Sequence, residues 1–528
     1  MKRCPEGRRD YYDETLLYCL DDGARLLGGP HYYDSPATAV LPSREMPLES
    51  ATKLFGTSAS YGSSSANTIA VLPFLNMTRS EDSDYFSDGL AEELLNVLSK
   101  MRGLRVAART SAFSFKGKSA TVSEIGNVLN VASVLEGSVR TAGERVRIAV
   151  QLVNVSDGYQ MWSETYDRTM DDIFSVQDDI AQSVMEELRT RFLGEEPGEK
   201  LDKEVEADLA KAVKGRAADP EAQRLVLLGR SFLDRTTRED TARAINYFRD
   251  ALALDPGFAL CWAELGRAYS VEAGRGWSPV TEAFERSRDA ARRALEIEPD
   301  LPEAHAQLGR IQAAHDWDLR GAEASYRWAL EHAPGSSSVL DGASVLAYKL
   351  GKFDEALAFG RRVVAQDPLS AAFWHNLGLT CHAAGMLDES AAAFRRAMEL
   401  APQRFVSAAL LALVLMDQGR VNEAREQAGN EPDEFWRTWA LAMIDHTAGR
   451  NDGSDDALRR LVEEHAEGNA YQIAEVYSVR GELDEAFLWI KRAVKERDPG
   501  ITHSRVNPRF EPLHSDPRWP ELLASVGF

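Results

Sequence analysis

Pro334, Pro368 and Pro402 stand 34 residues apart. Each closes an apolar stretch: RWALEHAP, RRVVAQDP and RRAMELAP. Twelve residues before each proline lies a small or hydroxyl residue, Ala322, Ala356 or Ser390. A fixed period of this length, built of two helical apolar patterns, predicts stacked helix hairpins. Each hairpin buries its apolar face only against its neighbours, so the chain must form an array.

The clearest unit is WHNLGLTCHAAGMLDESAAAFRRAMELAP. Trp374, Leu377, Gly378, Phe394, Ala397 and Pro402 fall at the Trp, Leu, Gly, Phe, Ala and Pro positions of the tetratricopeptide repeat (TPR), which this segment resembles. The pattern predicts a TPR array over 215–505, of about seven to eight repeats. A first unit carries Leu225, Leu228, Gly229 and Phe232, then Ala244, Phe248, Ala251 and Pro256. The late units loosen, and NEPDEF interrupts the sixth. Phe510, Leu513, Trp519, Leu522 and Leu523 predict a cap at 506–528 over the last exposed helix face.

The rest of the 528 residues calls for further domains, since single cores stop growing well below this length. Over 67–193 the pattern is α/β. A buried-strand run covers Ile69–Phe74, and a helix follows with Ser87 or Asp88 as its cap and Leu90, Leu94, Leu95 and Leu98 on one face. A short strand is expected at Arg105–Ala108 and a helix over Val122–Leu129. Three strands come next, the first two joined as a hairpin at Ala142-Gly143, then a closing helix over Met170–Phe192. The fold class is thus multidomain: a small mixed-sheet α/β domain followed by an all-α TPR superhelical solenoid. The landmarks AVLPF, YFSDGLAEELLNVLS, ARTSAFSFKGK and LEGSVRTAGERVRIAVQLVNVSDGYQMWSETYD resemble the TolB amino-terminal-like (FlgO-like) domain. That resemblance implies an interaction or sensory module, often fused to cyclase, kinase or winged-helix effectors and followed by TPRs.

Residues 1–27 resemble a degenerate zinc-ribbon head. Zinc takes four tetrahedral ligands, usually from C-x2-C pairs. Here Cys4 and Cys19 remain, Gly7 replaces one partner cysteine and Asp22 the other. Cys4, Cys19 and Asp22 are the candidate metal ligands; the alternative is a head that packs by its tyrosines and leucines without metal. Residues 28–66 are rich in Pro, Ser and Gly and read as a flexible linker.

The net charge of −22 argues against a general nucleic-acid surface. Four scattered cysteines suit a reducing compartment. No apolar run reaches membrane-spanning length, and the start MKRCPEGRRDYYDE has no signal-like apolar core, so a cytoplasmic location is expected. No nucleophile–base spacing or phosphate loop occurs, so no enzyme and no cofactor are expected. Asp88, Glu92 and Glu93 read as acids in a first helical turn rather than as catalytic carboxylates. Arg109 reads as a strand-end cation.

Function is then expected on the concave face lined by the first helix of each repeat. Its ninth position is Arg230, Arg267 and Arg310 in three successive repeats, then Val345 and Leu379, flanked by His375 and His382. Arginine forks grip carboxylates. The candidate peptide-binding residues are therefore Arg230, Arg267, Arg310, His375 and His382, for an acidic or C-terminal peptide; the alternative is arginines paired with acids of their own chain. The expected role is a non-catalytic scaffold of bacterial signalling or envelope regulation, with a protein or peptide partner. The alternative is a regulatory subunit that recruits a separate effector.

Overall fold

A computed structural model describes residues 67–188 and 217–528, with short breaks, and three short strands nearer the N-terminus. The chain divides into two compact units, Met1–Gly56 and Thr57–Phe528. In the first, β1 (Lys2–Arg3) pairs antiparallel with β2 (Asp10–Tyr11) and β3 (Leu27–Gly28). Cys4, Cys19, Asp22 and nearly all of the 28–66 linker lie outside the described residues.

The second unit opens with a mixed sheet. Its strands are β4 (Thr68–Val71), β5 (Leu75–Asn76), β6 (Arg105–Val106), β7 (Ser133–Ala142), β8 (Arg145–Asn154) and β9 (Gln160–Thr169). Their order is β6-β4-β7-β8-β9, with β5 also paired to β7. Strand β4 runs parallel to β6 and β7, whereas β7, β8 and β9 form an antiparallel meander. All four residues of β4 are buried, as expected of a strand covered on both faces. In β8, Val146, Ile148, Val150 and Leu152 point into the core while Arg145 and Arg147 are exposed.

Helices α1 (Glu81–Lys100) and α4 (Ile173–Leu188) pack on one sheet face through Leu90, Leu94, Leu98, Val176 and Ile180. Helices α2 (Arg109–Phe113) and α3 (Val122–Leu129) cover the other face. Thr121 caps α3 with a complete capping box to Glu124. The cap expected at Ser87 or Asp88 is absent, because α1 begins earlier, at Glu81. Ser87 is interior and fully buried. Gly89 lies mid-helix, where an added Cβ would come 2.5 Å from Leu227 Cδ1.

Eight antiparallel helix pairs follow among the described residues. They are α5 (Pro220–Leu233) with α6 (Arg238–Leu254), α7 (Ala259–Gly274) with α8 (Val280–Ile297), and α9 (Pro302–Ile311) with α10 (Leu319–His332). Next come α11 (Ser337–Lys349) with α12 (Phe353–Gln366), α13 (Ala371–Ala383) with α14 (Leu387–Leu400), and α15 (Ser407–Asp417) with α16 (Val421–Gly429). The last are α17 (Glu434–Thr447) with α18 (Asn451–Glu464) and α19 (Ala470–Val479) with α20 (Leu483–Glu496).

The periodic residues have visible physical roles. Pro368 ends one repeat and its carbonyl accepts Trp374 Nε1 of the next at 2.9 Å; Pro256 and Trp262 repeat the contact at 3.1 Å. The hydroxyl at the small position closes the hairpin: Ser390 Oγ donates to the Gly378 carbonyl at 2.7 Å. Where the fourth repeat lacks the first-helix glycine, Ser344 Oγ donates the other way, to the Ala356 carbonyl at 2.8 Å. Within NEPDEF, Glu431 is almost fully buried and accepts from the amides of Val406 and Ala409, so it satisfies the first turn of α15.

Candidate functional site: the inner face of the array

The first helix of each repeat turns the same side inward, and two parts of the chain itself cover that side. The α/β domain lies against the early repeats. Arg230 on α5 is 9% exposed; its Nε donates to Glu264 Oε1 on α7 at 3.0 Å. Its Nη1 lies 3.7 Å from Glu92 Oε1 on α1. Glu92, 3% exposed, also accepts from Arg109 Nε at 2.6 Å. Burial opposes the charge on Arg230, but Glu264, Glu92, Glu93 and Glu303 outweigh it and hold the guanidinium firmly protonated. Burial likewise works against ionised Glu264, yet Arg267 and Arg230 pull its pKa down to about 2. Buried charges need this kind of mutual compensation to persist.

A second seam uses the turn between α12 and α13. Ser111 Oγ donates to buried Asp367 and accepts from the Leu369 amide at 2.9 Å, and the Ala108 amide donates to the Gln366 carbonyl at 3.0 Å. A third contact is steric: a Cβ on Gly335 would lie 2.6 Å from the Ser99 carbonyl oxygen. Between these seams lies a cavity of about 290 Å³. Arg109, Arg230, Arg267, Arg310, Glu303 and Ser336–Ser338 are among its walls.

The C-terminal segment covers the later repeats. Phe510 and Leu513 are fully buried, and Trp519 and Leu522 nearly so, in the same core as α15, α17 and α19. The segment does more than close the last helix face; it runs back along the first helices. Asn507 Nδ2 donates to Tyr471 OH at 2.8 Å, and Ser478 Oγ donates to the Arg509 carbonyl at 2.7 Å. Arg509 reaches Asp417 on α15, and His503 lies by Tyr348 on α11. Beyond α20, Arg497 donates to the His315 carbonyl at 2.8 Å and sits over the Trp317 ring.

The five residues expected to grip a peptide are therefore distributed unevenly. Arg230, Arg267 and Arg310 converge on the junction cavity. Arg267 Nε donates to Glu264 at 2.9 Å and remains about one third exposed. His375 and His382 lie elsewhere and are buried. His375 Nδ1 is 3.0 Å from Ser407 Oγ, and His382 Nε2 is 2.6 Å from Asp417 Oδ2. Burial lowers the His382 pKa despite that carboxylate. For Asp417 burial pulls upward, but His382 and Arg509 prevail and lower it.

Glu92 and Arg109 carry this junction. In the sequence Glu92 reads as one of the acids of a first helical turn and Arg109 as a strand-end cation, whereas Glu92 lies in the middle of α1 and Arg109 opens α2. The available signal is Glu92 on the same helical face as Leu95 and Ser99, three residues after Gly89, whose missing Cβ leaves room for the Leu227 side chain. Among the described residues no cluster of three or more His, Cys, Asp or Glu side chains is arranged to hold a metal. No described helix is long and apolar enough to cross a membrane.

Comparisons with known proteins cover both halves of this assembly. The tetratricopeptide repeat family model matches residues 318–368 and 342–405. Residues 64–183 match the model described as HilA/YgeH-like transcriptional regulator, second domain, a different description from the TolB-like resemblance of that segment. A Rhizobium meliloti (strain 1021) protein named "Putative adenylate cyclase 3" is 32% identical over 260 residues, 49% of this chain and 42% of that protein. The chain thus spans less than half the length of that relative. Among solved structures, Pseudomonas aeruginosa pilF is 19% identical, covers 40% of this chain and 92% of its own, with a TM-score of 0.32. YrrB, titled a TPR protein with an unusual peptide-binding site, is 17% identical, covers 36% and 95%, and scores 0.28. The repeat geometry and the family match together make the C-terminal region a tetratricopeptide repeat array.

Proposed function

We propose that this chain is a non-catalytic interaction scaffold whose TPR inner face binds protein surfaces, first of all that of its own α/β domain. The observation that carries the reading is the Arg230–Glu92–Arg109 cluster. The arginine-to-carboxylate recognition expected for an acidic peptide is met here by a glutamate of the same chain. Arg267 and Arg310 extend that recognition surface towards an external protein or peptide partner; His375 and His382 support the array from within. A role in bacterial signalling, by way of the TolB-like or HilA-like segment, is part of this proposal.

The second reading is a regulatory subunit that recruits a separate effector. The relative named as an adenylate cyclase favours it, since a cyclase partner would then supply the catalytic chemistry. Affinity purification of the full chain, compared with an Arg267→Ala/Arg310→Ala variant, tests both. A stoichiometric protein lost in the variant supports the scaffold, and a nucleotide cyclase among such proteins selects the second reading. Cyclase activity in the purified chain, or a partner set unchanged by the variant, contradicts the proposed surface.

A further inference from the structure

Trp317 holds a backbone conformation that later repeats of the array give to glycine. It ends a π-helical turn, Gln312–Asp316, between α9 and α10, and its φ is 61°, in the left-handed region. At the next two 34-residue steps Gly351 and Gly385 fill the same turn, each with φ of 73°. A bulky side chain there strains the backbone, and such strain persists only where surrounding contacts hold it. Those contacts come from the far end of the chain. The Arg497 guanidinium lies 4.1 Å from the centre of the Trp317 ring and donates to the His315 carbonyl at 2.8 Å. Arg497 is itself left-handed, with φ of 57°, where α20 ends and the C-terminal segment begins. The other end of that segment returns to the same turn. Phe528 packs into the apolar cluster of Leu319 and Tyr326, and a Cβ on Gly527 would collide with the Trp317 carbonyl oxygen. One strained turn thus fastens both ends of residues 497–528.

Between its fastened ends the segment is seated as a bound peptide would be. Phe510 is fully buried and stands edge-on to Tyr471 of α19, with ring centres 5.3 Å apart. Arg509 reaches Asp417 of α15, and its Nη2 lies 3.2 Å from His382 Nε2 of α13. Asn507 donates to Tyr471 and Glu475, and the Arg509 carbonyl accepts from Ser478 Oγ. Buried aromatic and arginine anchors, set among hydrogen bonds to side chains and backbone, are the make-up of a recognition interface. A cap needs only to cover the last apolar helix face.

We infer that the inner face of repeats five to eight is a peptide site, kept occupied by residues 497–528 under the Trp317 clasp, and that a partner segment of Asn-x-Arg-Phe chemistry takes it when the clasp opens. This deepens the scaffold reading and rests on it, since it names the partner chemistry of the later repeats. The partner's arginine goes to Asp417 and His382, its aromatic ring to Tyr471 and its asparagine to Glu475. The tethered segment excludes the partner through its high effective concentration. The strain held at Trp317 and Arg497 is relieved on release, which poises the clasp to open.

A fluorescent peptide of residues 503–515, HSRVNPRFEPLHS, titrated into the full chain tests the inference by anisotropy. Trp317→Gly keeps the left-handed turn and removes the ring. Arg497→Gly opens the clasp from the other side and serves if circular dichroism shows the first variant unfolded. The clasp-free chain should bind the peptide at least tenfold more tightly than the wild type, and its amides over 499–513 should exchange at least tenfold faster. A peptide carrying Arg509→Ala should bind at least tenfold more weakly, and Asp417→Asn in the clasp-free chain should cost a similar factor. Arg459→Ala, at an exposed pair on α18, should change neither readout. No binding to the clasp-free chain, equal binding by the wild type, or equal binding of the two peptides would overturn the inference. Dimers of the clasp-free chain that the peptide does not dissociate would assign the face to the same segment of a second copy and overturn the partner reading. None of these readouts uses Arg267 or Arg310, so their failure is separate from failure of the scaffold reading.

Discussion

Arg230 of the first repeat helix lies 3.7 Å from Glu92 of the first α/β helix, and both are almost fully buried. The contact joins two domains that the sequence presents in series. It also makes the array's inner face a surface that is already engaged in protein recognition.

Glu92→Gln should loosen this junction. The substitution keeps the volume but leaves Arg109 and Arg230 with one carboxylate fewer between them. Removal of one partner from a buried ion pair costs about 3–5 kcal/mol. The expected loss is about 3 kcal/mol in urea denaturation, with faster hydrogen exchange in α1 and α2. An unchanged midpoint would mean that the pair is solvated.

Ser111→Ala should act on the second seam. Ser111 Oγ is fully buried and serves both Asp367 and the Leu369 amide. Its loss removes a buried donor from Asp367 and the side-chain acceptor of the Leu369 amide, a cost of about 1–3 kcal/mol. Ser111→Cys restores the size without a strong donor and should recover little of it. Thermal melts of the two variants and the wild type check the order.

Gly229→Ala should destabilise the first repeat although alanine is the better helix former. The new Cβ would lie 2.4 Å from Phe248 Cε1, and Phe248 is fully buried. Overpacking of this kind costs about 1–3 kcal/mol and exceeds the gain of roughly 1 kcal/mol in propensity. The midpoint of chemical denaturation should fall. A rise would show that α5 and α6 have room to separate.

Glu475 predicts a pH dependence. Burial pushes its carboxyl up to about 8, although Asn507, Arg509 and Trp439 all pull the other way. The folded state therefore holds this proton more tightly than the unfolded chain does. Its contribution is complete at acid pH, below the ordinary glutamate range, and is lost as pH rises towards 8. Between pH 5 and pH 8 the wild type should lose stability relative to Glu475→Gln, on the order of 3 kcal/mol. Denaturation of both proteins across that range measures it, and parallel pH curves would contradict it.

What the sequence made legible is local and repeated. Pro368, Gly378 and Ser390 act within one hairpin or on the next one, so their spacing alone announces the helix pairs. The sheet of the α/β domain was readable for the same reason, from the apolar alternation in β8. The junction was not readable, because its contacts join distant residues: Ser111 and Asp367 are 256 positions apart. Periodicity marks Arg230, Arg267 and Arg310 as a row but is silent on which carboxylates face them. The tail illustrates the same limit. Its apolar residues announced burial, whereas the return of Arg509 to Asp417 depends on how the array curves.

The central claim is that the α/β domain occupies the array's inner side through specific side-chain contacts. Cysteine cross-linking in the full chain tests it most directly. In a chain with Cys4 and Cys19 replaced by Ser, Ser111→Cys and Asp367→Cys place two thiols where the present side chains touch, while the native Cys261 and Cys381 are buried and serve as an internal control. The account predicts that mild oxidation joins positions 111 and 367 within one chain, in a yield that Glu92→Gln lowers. Rapid alkylation of both new thiols with no such cross-link would contradict it.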